Sequence, residues 1–253
     1  MRYCLCFVLA LLGFFGDRCA AAAPAKPNII VILVDDMGWA NIGCYGGMVE
    51  TPNLDRLAAN GVRFSQFYNA ARCCPTRASL MTGLHPHEAG IGHMTFKRTG
   101  KAPSIVAERL KLPYAYRGWL GEAVPTLPEM LKAAGYGTYM TGKWHLGSSN
   151  TNTWPTQRGF DRFYGFLEGT SDYFKPTDLH RGNTPVEPAG ERYYTTDAFT
   201  AEAIQFLKEH EAAKDQVPFF LYLAYNAPHF PMHAMPEDYA KYRGRFKKGW
   251  DVL

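Results

Sequence analysis

The stretch 28-NIIVILV-34 runs without a polar interruption into Asp35-Asp36. Its β-branched residues favour an extended chain. The lack of polar alternation predicts a strand buried on both faces, as in a parallel sheet. The strand therefore delivers two adjacent carboxylates to a sheet edge, where unpaired they would repel each other. Oxygen donors of this kind suit a hard cation such as Ca²⁺ or Mg²⁺. The alternative is that one carboxylate caps the next turn and the other is solvated.

Downstream, helices alternate with further apolar runs. In 51-TPNLDRLAANG-61, Thr51 is placed to cap, Pro52 suits the first turn, Leu54, Leu57 and Ala58 share a face, and Gly61 ends the helix. A short strand is expected over 62-VRFSQFY-68. In 126-TLPEMLKAAG-135, Thr126 and Glu129 have capping-box spacing. A strand over 138–141 leads into 142-GKWHLG-147, a third helix covers 196–210, and 219-FFLYLAY-225 is a buried strand before 226-NAPHFP-231. Residues 148–195 and the stretch 97–119, rich in Gly, Pro and aromatics, read as surface excursions. The alternation predicts an α/β fold with a mainly parallel central sheet flanked by helices. Asp35-Asp36, Lys143 with His145, and His229 each fall just past an expected strand end. Parallel sheets gather ligand sites at that edge.

The composition is globular: 253 residues, 47% hydrophobic and 20% charged. The net charge of +4 is dispersed rather than gathered into basic runs, which excludes a nucleic-acid footprint. Residues 1–23 read as a signal peptide, with Arg2, an apolar run from Cys4 to Phe15, and small residues at 20–23. That run is shorter than the roughly 20 residues of a span, so no stable membrane anchor is expected. The expected location is periplasmic or secreted. Loss of this segment leaves Cys44, Cys73 and Cys74, an odd number for an oxidising compartment, and points to a thiol with its own chemistry.

In the loop 142-GKWHLG-147, the ammonium of Lys143 and the imidazole of His145 can hold an oxyanion and move a proton, or be solvated surface. His229, between prolines, is either aimed at a site or packed into a turn. His85 and His87 read as structural and Cys44 as a small buried residue. In 71-ARCCPTRASLMTGLHPH-87, Arg77 and a helix starting near Pro75 would stabilise a thiolate. A vicinal Cys73–Cys74 disulfide is strained, and zinc-ligand spacing is absent from the sequence.

The run Cys73-Cys74-Pro75-Thr76-Arg77 followed by Thr82-Gly83 resembles the signature of the type I sulfatases, in the alkaline phosphatase-like superfamily. Asp35-Asp36, 142-GKWHLG-147 and 227-APHFP-231 match further family motifs in order. Thr76 stands where Ser is commoner. The resemblance implies that residues 24–253 are the N-terminal part of the catalytic α/β domain of that fold, truncated before the rest of that domain and the small C-terminal domain. It implies conversion of Cys73 to formylglycine (3-oxoalanine) by a formylglycine-generating enzyme. It also implies Ca²⁺ held by Asp35, Asp36 and modified Cys73, with Arg77, Lys143, His145 and His229 catalytic, and Lys143 and His229 on the substrate. The implied activity is hydrolysis of a sulfate monoester, aryl or carbohydrate, through a gem-diol and a sulfated hemiacetal. A phosphonate monoester or phosphodiester hydrolase is one alternative. An inactive remnant that binds sulfated glycans is another, because the family's Asp-Asn pair and second lysine do not occur after His229. The aromatics Trp119, Trp154, Tyr164 and Phe174 either line a sugar or aryl subsite or shore up loops.

Overall fold

The computed structural model describes residues 25–94, 111–213 and 217–246. The expected signal peptide and most of the 97–119 excursion lie outside them.

Six strands form one sheet: β1 (Ile29–Asp35), β2 (Gly137–Lys143), β3 (Arg162–Phe166), β4 (Leu179–Arg181), β5 (Thr184–Pro185) and β6 (Phe219–Pro228), in the order β1-β6-β2-β3-β4-β5. The pairs β1/β6, β6/β2 and β2/β3 are parallel, while β4 and β5 add antiparallel strands beyond β3. The helices are α1 (Pro52–Ala59), α2 (Cys73–Thr82), α3 (Leu127–Ala133), α4 (Thr195–Ala213) and α5 (Pro236–Tyr242). An α/β architecture with a mainly parallel core follows, as expected.

Burial on both faces belongs to the middle strands. One face carries α2 and α3, where Cys74, Ala78, Met81, Leu127 and Leu131 pack against Met140, Phe163, Phe220 and Tyr222. The other carries α4, where Phe199, Ala203 and Phe206 meet Tyr139, Tyr164, Leu221 and Leu223. Thr126 starts α3 as its spacing predicts: its hydroxyl accepts from Glu129 N–H, and Glu129 accepts from Thr126 N–H at 2.7 Å.

Three expectations are corrected at the β1 side. Ile29, Val31 and Leu33 pack on the core, but Ile30 and Ile32 remain 52% exposed. They align with Leu221 and Leu223, on the face that α4 covers further along the sheet. A uniform apolar run thus gives β1 one buried face. Residues 62–68 form no strand, because no described strand supplies their backbone with partners; Val62, Phe64, Phe67 and Tyr68 are exposed. Helix α1 forms but buries none of its residues. Thr51 does not cap it; its hydroxyl bridges Gly43 N–H and Asp55 instead.

Residues 148–195 are no surface excursion. They carry β3, β4 and β5, and bury Trp154, Phe160, Phe163, Phe166 and Tyr173. Their aromatics are core material, and glycines among them allow close strand approach: a Cβ on Gly165 would lie 1.9 Å from Gly142 O.

Candidate active site

The carboxyl ends of β1, β2 and β6 meet the first turn of α2. Cys73 is the first residue of that helix, after an extended Arg72 and an Ala71 with φ +56°. The helix N-terminus favours negative charge there. The pKa of the Cys73 thiol is lowered to about 3, chiefly by its hydrogen bond with the Cys74 side chain. Burial opposes this, while hydrogen bonding to His145 and the charges of His145 and Lys143 reinforce it.

Asp35, 5% exposed, ends β1 and is ion-paired with Lys143; Arg77 Nη2 lies 3.6 Å from its other oxygen. Asp36 turns away with φ +63°, and its exposed carboxylate reaches His229 Nε2 at 3.6 Å. Positive φ at Asp36, Ala71 and His145 costs about 1–2 kcal/mol each, and these strained residues surround Cys73.

Lys143 was expected in a loop facing substrate. It is instead the last residue of β2, fully buried, with Asp35 as its partner. Burial, then the Arg77 charge, pushes its pKa below the usual lysine range. Arg77 donates from Nη1 to Lys143 O at 2.9 Å and Tyr222 Oη at 3.2 Å, while its Nε and Nη2 have no hydrogen-bond partner. Buried unpaired donors are costly and suit an incoming anion.

His145 sits two residues past β2, 3% exposed, with φ +57°. Burial lowers its pKa, partly offset by its hydrogen bond to Cys73. Its ring lies flush against Gly169, where a Cβ would stand 2.5 Å from both Cε1 and Nε2. His229 follows β6; its Nδ1 pairs with Phe230 O at 2.7 Å, leaving Nε2 toward Asp36. Its carbonyl accepts from Tyr173 Oη at 2.6 Å.

Two small pockets result. One, about 170 Å³, is lined by Asp35, Asp36, Cys73, Thr76 and Arg77 among others. The second, about 160 Å³, is lined by Cys73, Met94, His145, Glu168, Thr170 and His229. Cys73 borders both, and Lys143 lies behind Asp35, lining neither. Of the seven predicted residues, six therefore reach one cleft, and the seventh supports it.

Glu168 was missed. It follows β3, so the rule that located the others would have found it had β3 been recognised as a strand. The convergence of Cys73, Cys74 and His145 within 4.8 Å was also invisible, because His145 reaches the two adjacent cysteines of α2 from beyond β2, 71 residues downstream of Cys74. None of the cysteines in the described residues is in a disulfide, and Cys44 is half-buried rather than buried. His85 and His87 are exposed and stack on each other with centroids 5.0 Å apart. Trp119, Trp154 and Tyr164 are buried in packing, which removes them as subsite residues. Phe174 lines a larger cavity of about 690 Å³ with Lys175, Arg192 and Tyr193.

For Ca²⁺, the donors Asp35 and Asp36 fit in kind, as hard carboxylate oxygens. They supply only part of the usual shell of about 6–8 oxygens. No described helix is long and apolar enough to cross a membrane.

A sequence model described as Sulfatase matches residues 27–252. N-acetylgalactosamine-6-sulfatase of Canis lupus familiaris is 39% identical over 248 residues, covering 90% of this chain and 44% of that protein. An uncharacterized sulfatase of Schizosaccharomyces pombe is 35% identical, covering 92% of this chain and 43% of its own length. The solved structure of Ps i-CgsB in complex with k-i-k-neocarrahexaose superposes with a TM-score of 0.72 at 35% identity, covering 85% of this chain and 48% of that one. The chain thus spans less than half the length of these relatives.

Proposed function

The chain belongs to the sulfatase family, and from that premise we propose that its cleft serves the hydrolysis of sulfate esters, with Cys73 as the residue that becomes the nucleophile. The observation that carries this reading is the position of Cys73, at a helix N-terminus between a carboxylate pair and two histidines, with Lys143 and Arg77 behind them. A sulfate monoester is an anion that an anionic nucleophile repels. A unit-charge pair at ~4 Å with an effective dielectric of ~20 is worth about 4 kcal/mol before desolvation, so converging cations can outweigh that repulsion.

Each side chain has work that suits its surroundings. Arg77, with buried donors to spare, would hold an anionic oxygen and keep Asp35 in place. Lys143 would fix Asp35 and add positive potential from behind. His145, its pKa lowered by burial and in contact with residue 73, would accept a proton from that residue. His229 Nε2, on the opposite wall, would meet the ester oxygen as the alcohol leaves. Asp35 and Asp36 would hold a divalent cation, whose chemistry there would be that of a Lewis acid toward a sulfate oxygen. Conversion of Cys73 to formylglycine would supply a hydrated aldehyde, whose second hydroxyl allows sulfate to be released without hydrolysis of a stable ester.

Among sulfate esters, we favour a sulfated carbohydrate. Phe174 follows Tyr173, whose hydroxyl bonds the His229 carbonyl, and the Phe174-lined cavity presents Lys175, Arg192 and Tyr193. Such a wall offers aromatic and cationic contacts to a charged sugar. A relative is named N-acetylgalactosamine-6-sulfatase, and Ps i-CgsB is seen in complex with k-i-k-neocarrahexaose. Export, as residues 1–23 suggest, would bring the chain to extracellular glycans.

The test pairs chemistry with turnover. Protein from a host able to modify sulfatases should show a peptide across Cys73 lighter than the thiol form, and should cleave p-nitrophenyl sulfate in preference to p-nitrophenyl phenylphosphonate. An intact thiol with full turnover, or a strong phosphonate preference, rejects the reading.

A further inference from the structure

Cys73 borders two pockets. On one side stand Asp35 and Asp36. On the other, the sulfurs of Cys73 and Cys74 and a ring nitrogen of His145 all lie within 4.8 Å of one another. Met94 Sδ adds a fourth soft donor, 3.8 Å from each of the two cysteine sulfurs. Cys74 is fully buried and His145 nearly so, with its Nδ1 lacking a hydrogen-bond partner. Cys73, Met94 and His145 open onto the cavity of about 160 Å³, so a small ion has a way in.

The donor set narrows the ion. Thiolate and imidazole together suit both Zn²⁺ and Cu⁺, but the thioether favours Cu⁺. Glu168 also lines the cavity, yet it is not among the groups that converge within 4.8 Å. Two thiolates around a monovalent ion leave one net negative charge. The Lys143 ammonium and the Arg77 guanidinium, both buried close by, offset it.

We propose that the chain with a thiol at residue 73 binds one Cu⁺ through Cys73, Cys74 and His145, with Met94 as a weaker fourth ligand. Cys73 enters as a thiolate and Cys74 releases its proton to solvent as two Cu–S bonds form, and the copper stays monovalent throughout. This site does not depend on the hydrolytic reading, but the two meet at one atom. Conversion of Cys73 to an aldehyde removes its sulfur, so the copper-loaded and aldehyde forms are mutually exclusive.

The test is a Cu⁺ titration, under anaerobic reducing conditions, of the chain from a host that leaves Cys73 unmodified, with bicinchoninate as coloured competitor. One equivalent should be withdrawn from the dye, and X-ray absorption should show sulfur in the copper shell. C73S and C74S should each weaken binding by more than about tenfold, and M94L by roughly tenfold, a perturbation that leaves the thiols in place. C44S should bind as the parent does, and circular dichroism should show every variant folded. The site is overturned if the parent withdraws no copper, if C73S or C74S retains parental affinity, or if C44S abolishes binding. Equimolar Zn²⁺ displacing the copper would overturn the choice of ion, and full binding by aldehyde-bearing protein would overturn the exclusivity.

Discussion

The two sides of the sheet use the same sequence vocabulary and reach different ends. Strands β6, β2 and β3 lie between α4 on one face and α2 with α3 on the other, and Phe220, Tyr222 and Met140 have no exposed surface. At β1, Ile30 and Ile32 are half exposed, α1 buries nothing, and Phe67 and Tyr68 are 80% and 84% exposed. Local pattern decides which face of an element is apolar; whether a partner covers that face is a tertiary matter. The cleft straddles this divide. Its cations, Lys143 and Arg77, are locked on the dry side and hold Asp35, whereas Asp36 on the open side is 62% exposed and meets only a histidine.

Removing a pinned cation should give the largest effect. Lys143→Ala leaves the buried Asp35 short of its partner, which should cost about 3–5 kcal/mol of stability by chemical denaturation. In protein that turns over sulfate esters it should also lower kcat/KM by roughly 10²-fold or more. A change within twofold in kcat/KM would reduce Lys143 to a structural role. Phe160→Ala should cost about 3–5 kcal/mol, because Phe160 stacks on Phe220 and meets Trp144 edge-on in the dry half. A denaturation midpoint unchanged from the parent would erase the distinction between the two sides.

The capping box of α3 is worth less. Thr126→Ala should cost about 1 kcal/mol, read from the urea midpoint. Glu129 tests the same corner by pH. Burial raises its pKa, but the hydrogen bonds from Arg158 and Thr126 more than compensate, so it lies below 4.5. A depressed folded-state value contributes stability above the unfolded pKa and loses it as pH falls through the folded one. Glu129→Gln should therefore be less stable than the parent at neutral pH, with the gap closing in acid; a constant gap would assign the loss to packing. Smallest of all, Phe67→Ser on the open side should alter stability by no more than about 0.5 kcal/mol. A loss above about 2 kcal/mol would show that side to be covered in solution.

Much of the site was readable in the chain. Asp35, Asp36 and His229 end or follow strands whose apolar runs are plain, His145 follows a shorter strand signal read over 138–141, and the Cys73 to Arg77 register places two side chains on one helix face. Glu168 and Met94 were not readable. The first follows a strand hidden among aromatics and glycines in 162-RFYGF-166, and the second reaches the thiols only through tertiary folding. The position of Lys143 differs by two residues of strand: glycines suggest a loop, but Gly142 accepts the close approach of β6 within a continuing ladder, where a Cβ would sit 1.9 Å from Ala224 O. Residues 62–68 show the reverse error, since good strand chemistry without a neighbour to bond stays irregular.

Gly169 shapes the cleft by leaving room. Even a methyl group at that position would evict the imidazole of His145 from its seat. A Gly169→Ala change would thus move His145 off Cys73 while replacing no titratable side chain and altering no charge, a lesion that a survey of reactive side chains would overlook.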